Sequence, residues 1–83
     1  MPYIKQERRD MLSKTLNVLN GIFYKIGVTG NLNYMLYRIA REHCHNYAEY
    51  AAFIGELEAA KLEIYRKLVA PYEEIKEKEN GSI

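Results

Sequence analysis

Residues 48–69 carry apolar side chains on two sides of the helix that their spacing predicts, and this feature constrains the fold most. One side is formed by Phe53, Leu57, Ala60, Ile64 and Leu68. The other is formed by Ala51, Gly55, Ala59, Leu62 and Val69, and the exposed side is marked by Glu49, Glu56 and Glu63. A helix with two apolar sides needs two packing partners. Three helices of one chain supply one partner, and we expect a second copy to supply the other.

A tightly wrapped monomer is the alternative to self-association. An 83-residue chain buries only about 60–65% of the surface that it exposes when unfolded, so its stability alone is marginal. The small residues Ala52, Gly55 and Ala59 would also let another helix approach closely. The sequence therefore favours a homo-oligomer.

Two further helices are predicted in the first half of the chain. The first runs from Glu7 to Lys25, because an apolar stripe with helical spacing is formed by Leu12, Leu16, Leu19, Phe23 and Ile26. The second runs from Leu32 to His43, with a buried stripe of Leu32, Leu36 and Ile39. Gly27 suits the C-cap of the first helix. Asn31 suits the N-cap of the second, where its side chain would accept a backbone N–H.

Pro71 interrupts the longest helical pattern of the chain. Proline lacks a backbone N–H and its ring clashes with the carbonyl four residues earlier, at a cost of about 3 kcal/mol inside a helix. It also disfavours helical geometry at Ala70, whereas the first turn of a new helix accepts proline. We therefore expect the third helix to end near Val69 and a short fourth helix to begin at Pro71.

These elements predict an all-α fold, a small three-helix hairpin or bundle with a short C-terminal fourth helix after Pro71, assembled as a homo-oligomer. Residues 1–83 are expected to form a single helical domain, with 1–6 as an extended lead-in and 80–83 as a flexible tail. No apolar run reaches the roughly 20 residues of a membrane span, and the N-terminus has no apolar signal region. With Cys44 as the lone cysteine, we expect a reducing, cytoplasmic location.

Charge and motifs argue against several functional classes. The net charge is only +1, so bulk nucleic-acid binding is not expected. Phosphate-binding loops, nucleophile elbows and paired metal-binding histidines are missing from the sequence, so we predict no enzyme activity. The adjacent His43, Cys44 and His45 point about 100° apart on a helix, and structural zinc takes four ligands. We therefore predict no metal and no cofactor.

Tyrosine is enriched, with eight Tyr, two Phe and no Trp. Tyr34, Arg38 and Arg41 share one face of the second helix, and Tyr37 lies four residues before Arg41. A ring beside guanidinium groups can stack on a base while the arginines bind phosphate. The other interpretation is a solvated face with cation–π pairs, or a contact between subunits.

A second candidate patch surrounds the proline and comprises Tyr65, Arg66, Lys67, Tyr72 and Lys76. Neighbouring carboxylates would neutralise it, through Glu63 with Lys67 and Glu73 with Lys76. A structural salt-bridged corner is the favoured interpretation of this patch. Together the two patches would form an anion pocket between subunits, with ligand-binding residues Tyr34, Tyr37, Arg38, Arg41, Tyr65, Arg66, Tyr72 and Lys76.

The segments MPYIKQERR, GNLNY and GELEAAKLEIYRKLVAPYEEIKEKENG resemble a family of small proteins of unknown function from tailed phages, prophages and bacteria. The likeness spans nearly the whole chain, although the ending ENGSI departs from the family's more acidic ending. The resemblance implies no catalytic residues. In size and style the chain also resembles the short oligomeric phage proteins that sequester nucleotide immune signals, the anti-CBASS and anti-Thoeris sponges.

Two functional hypotheses follow. The leading one is capture of a small anionic ligand, of the cyclic nucleotide type, in pockets between subunits in the cytoplasm of a bacterial host. The second is a helical adaptor or inhibitor that binds a host or phage protein through the Tyr-rich face. The apolar periodicity of the third helix fits either hypothesis.

Overall fold

The computed structural model describes residues 4–81, of which 87% are helical, with no strand among them. The predicted all-α class is therefore confirmed. The chain divides after His45 into two units. The organisation as a single domain stays a prediction, and residues 1–3 and 82–83 of the expected lead-in and tail lie outside the described residues.

The first unit contains α1, Gln6–Ile26, and α2, Asn31–His43. Both helices lie within one residue of their predicted bounds. Gly27 follows α1 with a φ of 84°, and its N–H donates to the Phe23 carbonyl, as expected for a glycine at a helix C-terminus. Along the predicted stripe of α1, Leu19 and Phe23 are half-buried while Leu12, Leu16 and Ile26 are exposed.

Asn31 does not act as the N-cap of α2, which corrects the prediction. Gly30 holds that position with a φ of 81°, a left-handed conformation that favours glycine. The Asn31 side chain instead donates to the last carbonyls of α1, at 3.1 Å from Ile26 O and 2.9 Å from Gly27 O. The final carbonyls of a helix have no partner within the helix, so this amide stabilises the end of α1.

The second unit is one continuous run of helix from Tyr47 to Asn80. It consists of α3, Tyr47–Ile64, a π-helical turn, Tyr65–Val69, and α4, Ala70–Asn80. Asn46 is the N-cap of α3, and its side-chain oxygen accepts a 2.9 Å hydrogen bond from the Glu49 N–H.

The expected end of the third helix near Val69 and the separate fourth helix are corrected. Ala70 has helical angles, φ −61° and ψ −45°, and the joined helix contains a bend. The Ala70 N–H donates to the carbonyl of Tyr65, five residues earlier, which widens this turn by one residue. The wider turn accommodates Pro71, so the helix continues and α4 carries the proline in its first turn. Within residues 4–81, no helix has both the length and the apolar character needed to cross a bilayer.

Candidate functional site

The first candidate site is an exposed face of α2, here called the α2 Tyr/Arg face, formed by Tyr34, Tyr37, Arg38 and Arg41. Helical spacing places Arg38 one turn after Tyr34. An Arg38 Nη1–H donates to Tyr34 Oη at 2.7 Å, and the guanidinium carbon lies 5.7 Å from the centre of the same ring. The phenol thereby fixes the direction in which the guanidinium points.

A second ring and guanidinium pair lies beside the first. The Arg41 guanidinium carbon is 5.5 Å from the centre of the Tyr37 ring, within the range of a cation–π contact. All four side chains are exposed. An arginine has five N–H donors, so both guanidinium groups keep donors for an anion while they contact their rings. The face therefore combines stacking surface with positive charge, as the spacing of these residues predicts.

The second candidate patch lies in the other unit, and carboxylates neutralise its cations. Glu63 pairs with both Arg66 and Lys67, the Lys67 ammonium lying 3.0 Å from Glu63 Oε1. The predicted pair of Glu63 with Lys67 is therefore present. Lys76 lies 5.7 Å from the centre of the Tyr72 ring. Its carboxylate partner is Glu79, at 3.2 Å, in place of the expected Glu73.

Glu73 instead contacts Tyr65, the first residue of the π turn. The Tyr65 phenol donates a 3.0 Å hydrogen bond to Glu73 Oε1. This bond, and the attraction between the phenol proton and the negative carboxylate, raise the pKa of Tyr65 above its ordinary value of 10.0. A hydrogen bond from the Lys67 ammonium lowers the pKa of Glu63. Partial desolvation opposes this shift, and the positive charge of Arg66 reinforces it. The patch is thus a network of structural ion pairs around the π turn.

An open groove of about 350 Å³ follows the second patch along α4. Its walls are formed by Tyr72, Glu73, Lys76, Glu77, Asn80 and Gly81. Sequence reasoning named Tyr72 and Lys76 but missed the other four. Their three- and four-residue spacing on one helical face could have identified them. With two carboxylates beside one ammonium, this groove is a poorer site for an anion than the α2 Tyr/Arg face.

A family model described as "Domain of unknown function (DUF6899)" matches residues 1–83. The chain belongs to this DUF6899 family. The predicted membership of an uncharacterised family is therefore confirmed, while the phage origin stays a prediction. No curated protein and no solved structure matches the chain.

The histidine and cysteine cluster of this DUF6899 chain lies at the end of α2. His43 is the last residue of the helix, and Cys44 is buried immediately after it. Across residues 4–81, the structure contains no group of three or more His, Cys, Asp or Glu side chains arranged to hold a metal ion. The α2 Tyr/Arg face, with its two ring and guanidinium contacts, is the candidate site of this chain.

Proposed function

We propose that this chain is a non-enzymatic binding protein that captures a small anionic ligand of the cyclic nucleotide type. The observation that carries the proposal is the pair of ring and guanidinium contacts, Tyr34 with Arg38 and Tyr37 with Arg41, side by side on one exposed helical face. Aromatic rings stack on bases, and guanidinium groups bind phosphate oxygens in pairs.

The ligand would be held in pockets between copies of a homo-oligomer. Support comes from the many large apolar side chains that are exposed along both units, which favour burial against another copy. In the proposed assembly, Tyr65, Arg66, Tyr72 and Lys76 contribute a second wall. Arg66 and Lys76 already bind carboxylates. They would therefore add less affinity than the arginines of α2.

The finer proposal is a phage-encoded sponge that removes a nucleotide immune signal in the cytoplasm of a bacterial host. It is supported by the resemblance of the three sequence segments to proteins of phages and prophages, and by the small helical character of the chain. Such a protein acts by binding alone, which agrees with the proposed absence of enzyme activity.

Calorimetric titration with a panel of cyclic dinucleotides and cyclic ADP-ribose isomers tests this function. We expect heat with one class of ligand and at least a tenfold weaker affinity in Arg38→Gln and in Arg41→Gln, because a charge-assisted hydrogen bond is lost. Arg8→Gln removes an exposed arginine of α1 and is the matched control, with unchanged affinity. No heat with any member of the panel would overturn the proposal.

A protein partner is the second candidate function. It is favoured by Tyr24 and Tyr47, which are 90% and 88% exposed, because exposed tyrosines are common at protein interfaces. The mass of the native complex isolated from cells separates the two functions. A bound small molecule that absorbs ultraviolet light supports ligand capture, whereas a stoichiometric second protein without such a molecule supports the adaptor.

A further inference from the structure

The apolar residues of α3 recur at a regular helical spacing. In a regular α-helix this spacing would be broken near Pro71, but the structure preserves it. Steps of three and four residues connect Tyr50, Phe53, Leu57, Ala60 and Ile64, the spacing of a helix that packs along another helix. Continued in a regular α-helix, these steps would reach Lys67, Pro71 and Glu74. The apolar residues of this segment, Leu68, Tyr72 and Ile75, each come one position later.

The π turn removes this mismatch. Its hydrogen bond from the Ala70 N–H to the Tyr65 carbonyl encloses one residue more than an α-helical turn. The turn contains one extra residue, and the apolar residues after it are shifted by one position in the sequence, so the two differences cancel. Leu68, Tyr72 and Ile75 therefore return to the side of the helix that carries Leu57 and Ile64. We call this set of eight residues, Tyr50, Phe53, Leu57, Ala60, Ile64, Leu68, Tyr72 and Ile75, the seam.

The seam is uncovered over most of its length. Ile64 is 52% exposed and Leu68 is 67% exposed, and among the eight residues only Phe53 is half-buried. A helical surface that faces water does not need an apolar pattern in register across a π turn, because polar residues serve there equally well. The register is needed only where another helix packs along the full length.

We infer that the seam is the surface through which two copies of this chain associate, with their seams packed antiparallel. In that orientation, the smallest residue of the seam, Ala60, faces a large residue of the other copy. Ala60 lies opposite Ile64 of the second copy at the centre, followed outwards by Leu57 opposite Leu68. Phe53 then lies opposite Tyr72, and Tyr50 opposite Ile75. A parallel arrangement would instead place Ala60 opposite Ala60 and leave a gap at the centre, which a packed core does not tolerate well.

Charges along one edge of the seam are compatible with the same orientation. This edge carries Glu49, Glu56 and Glu63 at steps of seven residues. When one additional residue is counted for the π turn, the next positions on this edge are Pro71 and Lys78. Antiparallel packing brings Glu49 of each copy to Lys78 of the other, which places opposite charges together at both ends of the seam. At the centre Glu63 meets its counterpart, but each is already paired with Arg66 and Lys67.

This inference rests on the self-association in the proposed function and not on its ligand. Sedimentation velocity at micromolar concentration should give about twice the 9.7 kDa mass of the chain. The double variant Leu57→Asp with Leu68→Asp should dissociate at least a hundredfold more readily. The matched control is Leu62→Asp, since Leu62 is 60% exposed on α3 but lies off the seam. A monomeric wild-type protein, or equal effects in the seam variant and the control, would overturn the inference.

The role of the π turn has its own test. Insertion of one Ala after Lys67 should rotate the α4 part of the seam by about 100° and weaken the dimer. Deletion of Lys67 together with Pro71→Ala should leave the dimer intact, because a regular α-helix then keeps the apolar residues in register. Lys67→Ala and Pro71→Ala are the controls without a change of length. A tolerated insertion would contradict the need for a continuous seam.

Disulfide formation distinguishes the two orientations. A mixture of Glu49→Cys chains and Lys78→Cys chains should form a mixed disulfide dimer, with the parent chain as the control for Cys44. A mixture of Glu56→Cys and Lys61→Cys chains, the flanking pair of a parallel dimer, should not. The reverse result overturns the antiparallel arrangement. Seam-dependent dimers that give no heat with nucleotides would support this inference and remove the proposed ligand.

Discussion

The phenol of Tyr65 donates a hydrogen bond to the Glu73 carboxylate across the π turn, with 3.0 Å between the oxygens. The two residues are eight apart, so the bond connects the first residue of the π turn to the first turn of α4. Together with the pairing of Glu63 with Arg66 and Lys67, it surrounds the π turn with side-chain contacts. The irregular segment of the helix is therefore held by a network of polar side-chain contacts.

The hydrogen bond between Tyr65 and Glu73 predicts one tyrosine that titrates late. The folded pKa of Tyr65 is raised, so its stabilising bond is fully present below the ordinary pKa of 10.0 and is lost as pH rises through the folded pKa. In an alkaline titration followed by tyrosinate absorbance, Glu73→Gln should move the last phase to lower pH and Tyr65→Phe should remove it. Tyr72→Phe is the control and should keep that phase.

The lowered pKa of Glu63 predicts a loss of stability in acid. Its ionised form contributes above the unfolded pKa, whose ordinary value is 4.5, and the contribution is lost as pH falls through the lower folded pKa. Circular dichroism during an acid titration should show a smaller loss of thermal stability for Glu63→Gln than for the wild type. Glu58→Gln removes the carboxylate of a different exposed pair, with Lys61, and is the matched control for loss of an ion pair on this helix.

The contacts of Asn31 predict that its amide, and not a capping oxygen, stabilises the junction of α1 and α2. Asn31→Asp keeps the shape but cannot donate to the carbonyls of Ile26 and Gly27. We expect a loss of about 0.5–1.5 kcal/mol, the usual net value of a hydrogen bond. Asn33→Asp adds the same charge two residues later and should be nearly neutral in thermal unfolding. Equal losses in both variants would mean that the amide contacts are not responsible.

Two glycines of the first unit should respond to alanine in opposite directions. Gly21 lies within α1, and an added Cβ has no atom of the described residues within 4 Å apart from its chain neighbours and the nearby backbone of α1. Gly21→Ala should therefore raise stability by up to about 1 kcal/mol. Gly30 has a φ of 81°, so Gly30→Ala should lower stability by about 1–2 kcal/mol. A destabilised Gly21→Ala protein would indicate that another helix packs closely against this position.

Much of the local structure could be predicted because it depends on neighbouring residues. The bounds of α1 and α2 follow from apolar spacing and from the glycines of the segment between them. The pairing of Arg38 with Tyr34 and of Arg41 with Tyr37 follows from helical geometry, because residues four apart lie on the same face. The pair of Glu63 with Lys67 follows for the same reason.

Other contacts could not be chosen from spacing alone. Lys76 has Glu73 and Glu79 at equal sequence distance on either side, and the structure pairs it with Glu79. Asn31 has a side chain that both donates and accepts, so it suits either end of a helix. Such alternatives differ by small energies, and the positions of the surrounding backbone atoms decide between them.

The sequence by itself determined an all-helical chain, the places where its first two helices begin and end, and the ring and guanidinium pairs of α2, because these depend on backbone hydrogen bonds and contacts within one or two turns. Only the tertiary structure decided how the helix passes Pro71. Local rules allow the chain either to stop or to continue, since a proline in the first turn suits both outcomes. The π turn resolves this choice: it makes room for the proline ring and brings the apolar residues of α4 into line with those of α3.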